Sequence, residues 1–181
     1  VSEAGVRLGL ERTLMGLDYL RAGVNYTIES TGIYNVSDSA SAEMKGDSGR
    51  DLISKFGVAL AYDTRGGGYL PSKGQRTELV LENASEAVGS DKDFYKLQLT
   101  SAQYFKGFGE GHVIEVIART GVVEEYGDTA EVPYIERYAL GGTSTLRGFE
   151  FREVGPRDAK NVVVGGKTMA VGTLEYSVPL P

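Results

Sequence analysis

The sequence predicts an all-β protein, an antiparallel transmembrane β-barrel, and three observations carry the prediction. Apolar and polar residues alternate with a period of two along most of the 181-residue chain. The alternating stretches run near the ~9–11 residues of a strand crossing a bilayer at a tilt, against the ~5–6 usual in soluble sheets. The connections alternate in length, with short turns near 14–18, 64–73 and 107–111 and longer stretches near 31–53, 83–93 and 124–165. Short turns on one rim and long loops on the other are the pattern of outer-membrane barrels. Alternation alone fits a one-sided soluble sheet equally well; the asymmetry of the connections decides between the two.

Seven strands follow in order. In the first, Val6, Leu8 and Leu10 share a face opposite Arg7, Gly9 and Glu11. The second sets Leu20, Ala22, Val24, Tyr26 and Ile28 against Arg21, Gly23, Asn25, Thr27 and Glu29. The third sets Phe56, Val58, Leu60 and Tyr62 against Lys55, Gly57, Ala59, Ala61 and Asp63. The fourth has Thr77, Leu79 and Leu81 opposite Arg76, Glu78, Val80 and Glu82. In the fifth, Tyr95, Leu97, Leu99 and Phe105 oppose Lys96, Gln98, Thr100 and Lys106. The sixth places Ile114, Val116 and Ala118 against Glu115 and Arg119. The last places Ala170, Leu174, Tyr176 and Val178 against Lys167, Thr173, Glu175 and Ser177. A packed soluble core cannot hold the many charges that recur on the polar face. In a barrel they line a wet lumen, while the apolar set meets lipid.

Composition excludes several function classes. With 25 acidic against 19 basic residues the chain has no general attraction for nucleic acid. The absence of Cys removes disulfides, thiolate metal sites and cysteine nucleophiles. His112, the one histidine, leaves no His-based triad or multi-His metal site, and it falls at a turn–strand junction. No metal, cofactor or catalytic residue is expected. No apolar run approaches the ~20 residues of a membrane-spanning helix, which leaves barrel strands untouched.

Three local features have plain readings. The tract from Tyr62 to Gly74 closes a hairpin: Gly66, Gly67, Gly68 and Pro71 stop the strand, and Gly74 suits a left-handed turn position. A strand follows it rather than a helix with Lys-Ser/Thr, so it is not a phosphate loop. Glu124 and Glu125, with Asp128 nearby, read as a solvated strand end, because neighbours on a strand point to opposite faces. The segment 36–50 is small and polar, a surface loop with one helical turn after Asp38 or Ser39.

The stretch Gly141-Gly142-Thr143-Ser144-Thr145-Leu146-Arg147-Gly148-Phe149 is different. The Gly pair lets the backbone fold back sharply. It carries one guanidinium, whose five fixed donors seldom go unpaired away from bulk water. A loop that folds back and plants an Arg needs a carboxylate to receive it. This stretch resembles the lumen-inserted loop of the bacterial surface-antigen barrels, the outer-membrane insertases. The resemblance extends to Gly155-Pro156-Arg157, to the run from Val164 to Tyr176, and back to Asp63-Thr64-Arg65 with Pro71-Ser72-Lys73-Gly74. It covers most of residues 54–181 and, more loosely, 1–53.

The resemblance implies a barrel of about sixteen strands preceded by periplasmic POTRA domains. These seven strands would be the sixth to the twelfth, so residues 1–181 are expected to form a partial barrel domain without the POTRA domains, the early strands and the closing strands with the lateral seam. It implies that Gly141, Gly142, Leu146, Arg147, Gly148 and Phe149 lock the loop, that Arg147 makes a bidentate pair with Glu175 on the inner wall, and that Asp63, Arg65, Pro71 and Gly74 form a periplasmic turn. The implied activity is folding and inserting β-barrel proteins into the outer membrane, with no enzymatic step. The implied partners are the lipid bilayer, nascent outer-membrane proteins and accessory assembly lipoproteins. The alternatives are a secretion or translocation pore of the same superfamily, an enzyme anchored by such a barrel, and a soluble β-sandwich binding module. No Gly-x-Ser-x-Gly elbow occurs here to favour the enzyme.

Overall fold

Seven strands form along the stretches where the alternation predicts them. They are β1 (Ser2–Thr13), β2 (Leu20–Ile33), β3 (Gly49–Asp63), β4 (Gly74–Ala84), β5 (Phe94–Lys106), β6 (Val113–Glu125) and β7 (Thr168–Ser177). The computed structural model describes residues 2–33, 45, 48–66 and 71–179. The helical turn expected after Asp38 or Ser39 lies outside the described residues. The strands pair antiparallel in chain order, β1 through β7, as one open sheet.

The strands are longer than the apolar alternation alone indicates. Thr31 pairs with Asp51 and Gly32 with Arg50, so the first long connection shrinks from 31–53 to 34–48. Backbone pairing continues past the greasy stretch because the ladder bonds need no apolar side chain.

The two faces separate as predicted. Leu10 is 79% exposed and Leu174 75%, and Val6, Leu8, Val24, Phe56, Leu60, Leu79, Leu97 and Leu99 are exposed beside them. Among the described residues no second sheet stands against this face. An uncovered aliphatic surface running across seven strands far exceeds the few hundred Å² of a soluble monomer, so the two-layer sandwich is excluded. Charges on the other face pair with one another, Arg7 with Glu82 at 3.0 Å and Arg21 with Glu11 at 2.9 Å.

The polar face is not wet throughout. At the long-loop rim Ile53, Ala84, Phe94 and Val123 break the polar alternation and point the same way as Lys55, Glu82, Lys96 and Arg119. Val132 and Tyr138, from the connection between β6 and β7, cover them, and these six residues are the buried core. The apolar strand ends thus form a seat for a loop.

Candidate functional site

The connection from residue 126 to residue 167 turns back from the end of β6 and lies against the polar face. Tyr138 fixes its depth. A Cβ on Gly121 of β6 would stand 2.5 Å from the Tyr138 hydroxyl, so the missing side chain makes the slot that the ring occupies. The Nζ of Lys96 sits 5.0 Å from the ring centroid, within cation–π range.

Beside the ring, Glu136 reaches the wall. Lys55 on β3 donates to its Oε1 at 2.6 Å, and Lys96 on β5 donates to its Oε2 at 2.9 Å and to its carbonyl at 3.0 Å. Glu29 on β2 takes a further bond from Lys55 at 2.7 Å. The side chains of Glu136 and Lys55 are 8% and 9% exposed. Burial alone would push the Glu136 carboxyl up, but the charges and hydrogen bonds of Lys96 and Lys55 prevail and hold it below its ordinary 4.5.

The loop is braced internally before its tip begins. Arg137 donates to the Val132 carbonyl at 2.8 Å and to Glu131 at 2.7 Å. Arg152 donates to the carbonyls of Arg137 and Tyr134, both at 3.1 Å. Bridges join Tyr138 to Gly166, Leu140 to Val154 and Arg157 to Val163. Gly141 and Gly142 take φ of 125° and 85°, and a Cβ on Gly141 would run into the Glu150 carbonyl. Gly142 N–H donates to the Phe149 carbonyl at 3.0 Å, and the Thr145 hydroxyl bonds both the amide and the carbonyl of Gly141 at 2.9 Å. These bonds close the turn that presents Arg147.

At the tip, Nη2 of Arg147 donates to Oε1 of Glu175 at 2.7 Å. The expected partners meet, but through one bond rather than a bidentate fork. Arg147 is 69% exposed, so its other donors stay open to water. Leu146 is half-buried, while Gly148 and Phe149 are exposed. Glu175 lies two residues before the end of β7 and Glu115 two after the start of β6. Measured from Glu125 the loop therefore descends ten residues of β6, roughly 30 Å at ~3.3 Å per residue.

The short-turn residues also assemble. Asp63 accepts from Nε and Nη2 of Arg65 at 2.9 and 2.7 Å and from the Arg65 amide at 3.1 Å. Gly74 has φ 95°, and a Cβ there would stand 2.5 Å from the Thr64 carbonyl. Pro71 is half-buried ahead of β4. The strand end at Glu124 and Glu125 is not simply solvated, since Lys167 bonds both, at 3.1 and 2.5 Å. Its long stem spans the pleat that separates them. His112 does fall at the turn–strand junction, where Nδ1 and the Tyr176 hydroxyl are 2.6 Å apart.

An antiparallel sheet greasy on one face, with a long connection folded down its charged face, is the wall of an integral outer-membrane β-barrel. A family model described as the Omp85 superfamily domain matches residues 1–181. The chain belongs to the Omp85 superfamily. It is 30% identical over 160 residues to the outer membrane protein assembly factor BamA of Nitratidesulfovibrio vulgaris, covering 88% of this chain and 20% of that one. It is 26% identical over 164 residues to the human sorting and assembly machinery component 50 homolog, covering 87% and 34%. The crystal structure of Haemophilus ducreyi BamA lacking POTRA domains 1–3 superposes with a TM-score of 0.74 at 21% identity, over 99% of this chain and 37% of that one. The chain thus spans a fifth to somewhat over a third of the proteins it matches.

Proposed function

We propose that the protein carrying this segment folds and inserts β-barrel proteins into the outer membrane. The observation that carries the reading is the connection between β6 and β7 folded down the inner wall, with Arg147 on Glu175. A loop held at that depth occupies the lumen and lends stiffness to this arc of the wall, leaving work on a substrate to other parts of the barrel. The names of the bacterial and human relatives support the same activity.

In this reading residues 1–181 are one arc of a larger barrel, whose other strands pair with the free edges of β1 and β7. Unpaired backbone groups cost several kcal/mol each in lipid, which favours such closure. The partners are the bilayer, nascent outer-membrane proteins that enter by strand addition, and accessory assembly lipoproteins. The segment performs no enzymatic step. Gly141, Gly142, Leu146, Arg147, Gly148 and Phe149 form the locking turn, Glu175 receives it, and Asp63, Arg65, Pro71 and Gly74 shape the periplasmic turn.

The test is reconstitution of the full-length protein in proteoliposomes. Faster insertion of an unfolded outer-membrane barrel supports the reading. Passage of a soluble polypeptide across the bilayer without such insertion overturns it in favour of a translocation pore.

A further inference from the structure

We infer that Glu136, rather than Arg147, is the principal positioning residue of the in-folded loop. The inference rests on the functional reading only for its purpose; the hold itself follows from geometry. Glu136 binds two strands at once, β3 through Lys55 and β5 through Lys96. Glu29 steadies Lys55 from β2, so one loop carboxylate ties three wall strands together. The site is buried and adjoins the apolar seat of Val132 and Tyr138. Water and salt therefore screen it little. Taking Glu136 away leaves buried lysine charge short of a partner, which is among the costlier changes a folded chain can suffer.

The tip differs in each respect. Arg147 makes one bond to one strand and is 69% exposed. Exposed pairs of that kind are weak and screened. The loop is thus an arm clamped at its root near the long-loop rim and latched lightly at its tip near the short-turn rim. The tip can leave Glu175 without the root leaving the wall. That sets Glu136 apart from the glycines and the arginine of the tip, which shape and latch the turn but do not carry the arm.

Hydrogen exchange read by mass spectrometry on the full-length protein in nanodiscs separates root from tip. The root amides of Glu136, Tyr138 and Leu140 are bonded to Pro133, Gly166 and Val154. Glu136→Gln should speed exchange across 132–140 at least tenfold. Arg147→Gln should speed exchange within 143–149 and leave 132–140 within about threefold of the parent. Glu136→Gln combined with Lys96→Gln, which leaves Lys55 balanced by Glu29, should return root protection towards the parent value. The inference is overturned if Glu136→Gln leaves the root protected, or if Arg147→Gln loosens it equally. Should Glu136→Gln fail to give a folded barrel, the double variant decides: recovered folding supports the clamp, and continued failure overturns it. Insertion assays on the same samples keep the two readings apart. Failure of the parent protein to insert a barrel strikes the functional proposal and spares the clamp, which is read from exchange alone.

Discussion

Glu115 and Glu175 stand directly opposite each other on β6 and β7, two carboxylates side by side on the inner face. Cross-strand like charges repel. Arg147 comes down onto this pair and bonds Glu175 at 2.7 Å. The tip latch is thus an arginine brought to a spot where the sheet by itself is frustrated.

Loss of Arg147 should therefore cost more than its own exposed bond. Arg147→Ala should destabilise the barrel by about 1 kcal/mol, in the range of an exposed pair plus an unrelieved repulsion. Adding Glu115→Gln should return about half of that, while Glu115→Gln alone changes little. Thermal unfolding of the full-length protein, followed by heat-modifiable gel mobility, measures all three. Strictly additive losses would show that the two carboxylates do not interact.

Reversing the latch tests the pair directly. Arg147→Glu and Glu175→Arg should each impair assembly in a complementation assay, and the double exchange should restore it to within a few-fold of the parent. Two independent losses that simply sum would count against the contact.

The slot at Gly121 makes a packing prediction. Gly121→Ala places a methyl against the Tyr138 ring, whose hydroxyl lies 2.5 Å from the Cβ position. Overpacking of that kind costs about 1–3 kcal/mol. Tyr138→Phe should be neutral or slightly stabilising, because the buried hydroxyl has no hydrogen-bond partner among the described residues. The alanine should cost less when residue 138 is Phe than when it is Tyr. Equal costs in both backgrounds would place the clash elsewhere.

The turn at Gly74 makes another. With φ 95° and the Thr64 carbonyl in the way, Gly74→Ala suffers both backbone strain and a collision. A destabilisation of about 2–3 kcal/mol follows, read as a lower unfolding midpoint. Gly16 also has positive φ, at 81°, but an added Cβ meets nothing within 4 Å there, so Gly16→Ala should cost less.

The two faces of the strands were legible because lipid on one side and water on the other impose a period of two along most of each strand. The strand ends were not, since pairs such as Gly32 with Arg50 extend the ladder with no apolar signal. Arg147 and Glu175 could be matched through family resemblance, with the alternation independently placing Glu175 inside. The Glu136 clamp gave no such handle. Lys55 lies 81 residues away in sequence and Lys96 lies 40 away, and a single acid inside Tyr134-Ile135-Glu136-Arg137 looks like any exposed loop charge. Its one sequence trace is that Ile53, Phe94 and Val123 interrupt the polar face at one rim, a greasy seat that implies something must sit on it.

Acid should release the root of the loop, and the sign follows from the direction of the shift. Lys96 and Lys55 hold the Glu136 carboxyl below its ordinary 4.5 in the folded protein. The unfolded chain therefore binds this proton more readily, and stability rises with pH through that window. The contribution is complete above the unfolded value and fades as pH falls through the lower, folded one. Lys55, Lys96 and Glu29 are the charges facing the site. Protonation thus removes the one carboxylate the two lysines share, leaving Lys55 with Glu29 alone. Between pH 7 and 5 root amide protection, corrected for intrinsic exchange, should hold steady, then fall once the pH drops beneath the ordinary carboxyl value of 4.5. Glu136→Gln should show neither the plateau protection nor the acid step. An acid step that persists in Glu136→Gln would assign the transition to another carboxyl.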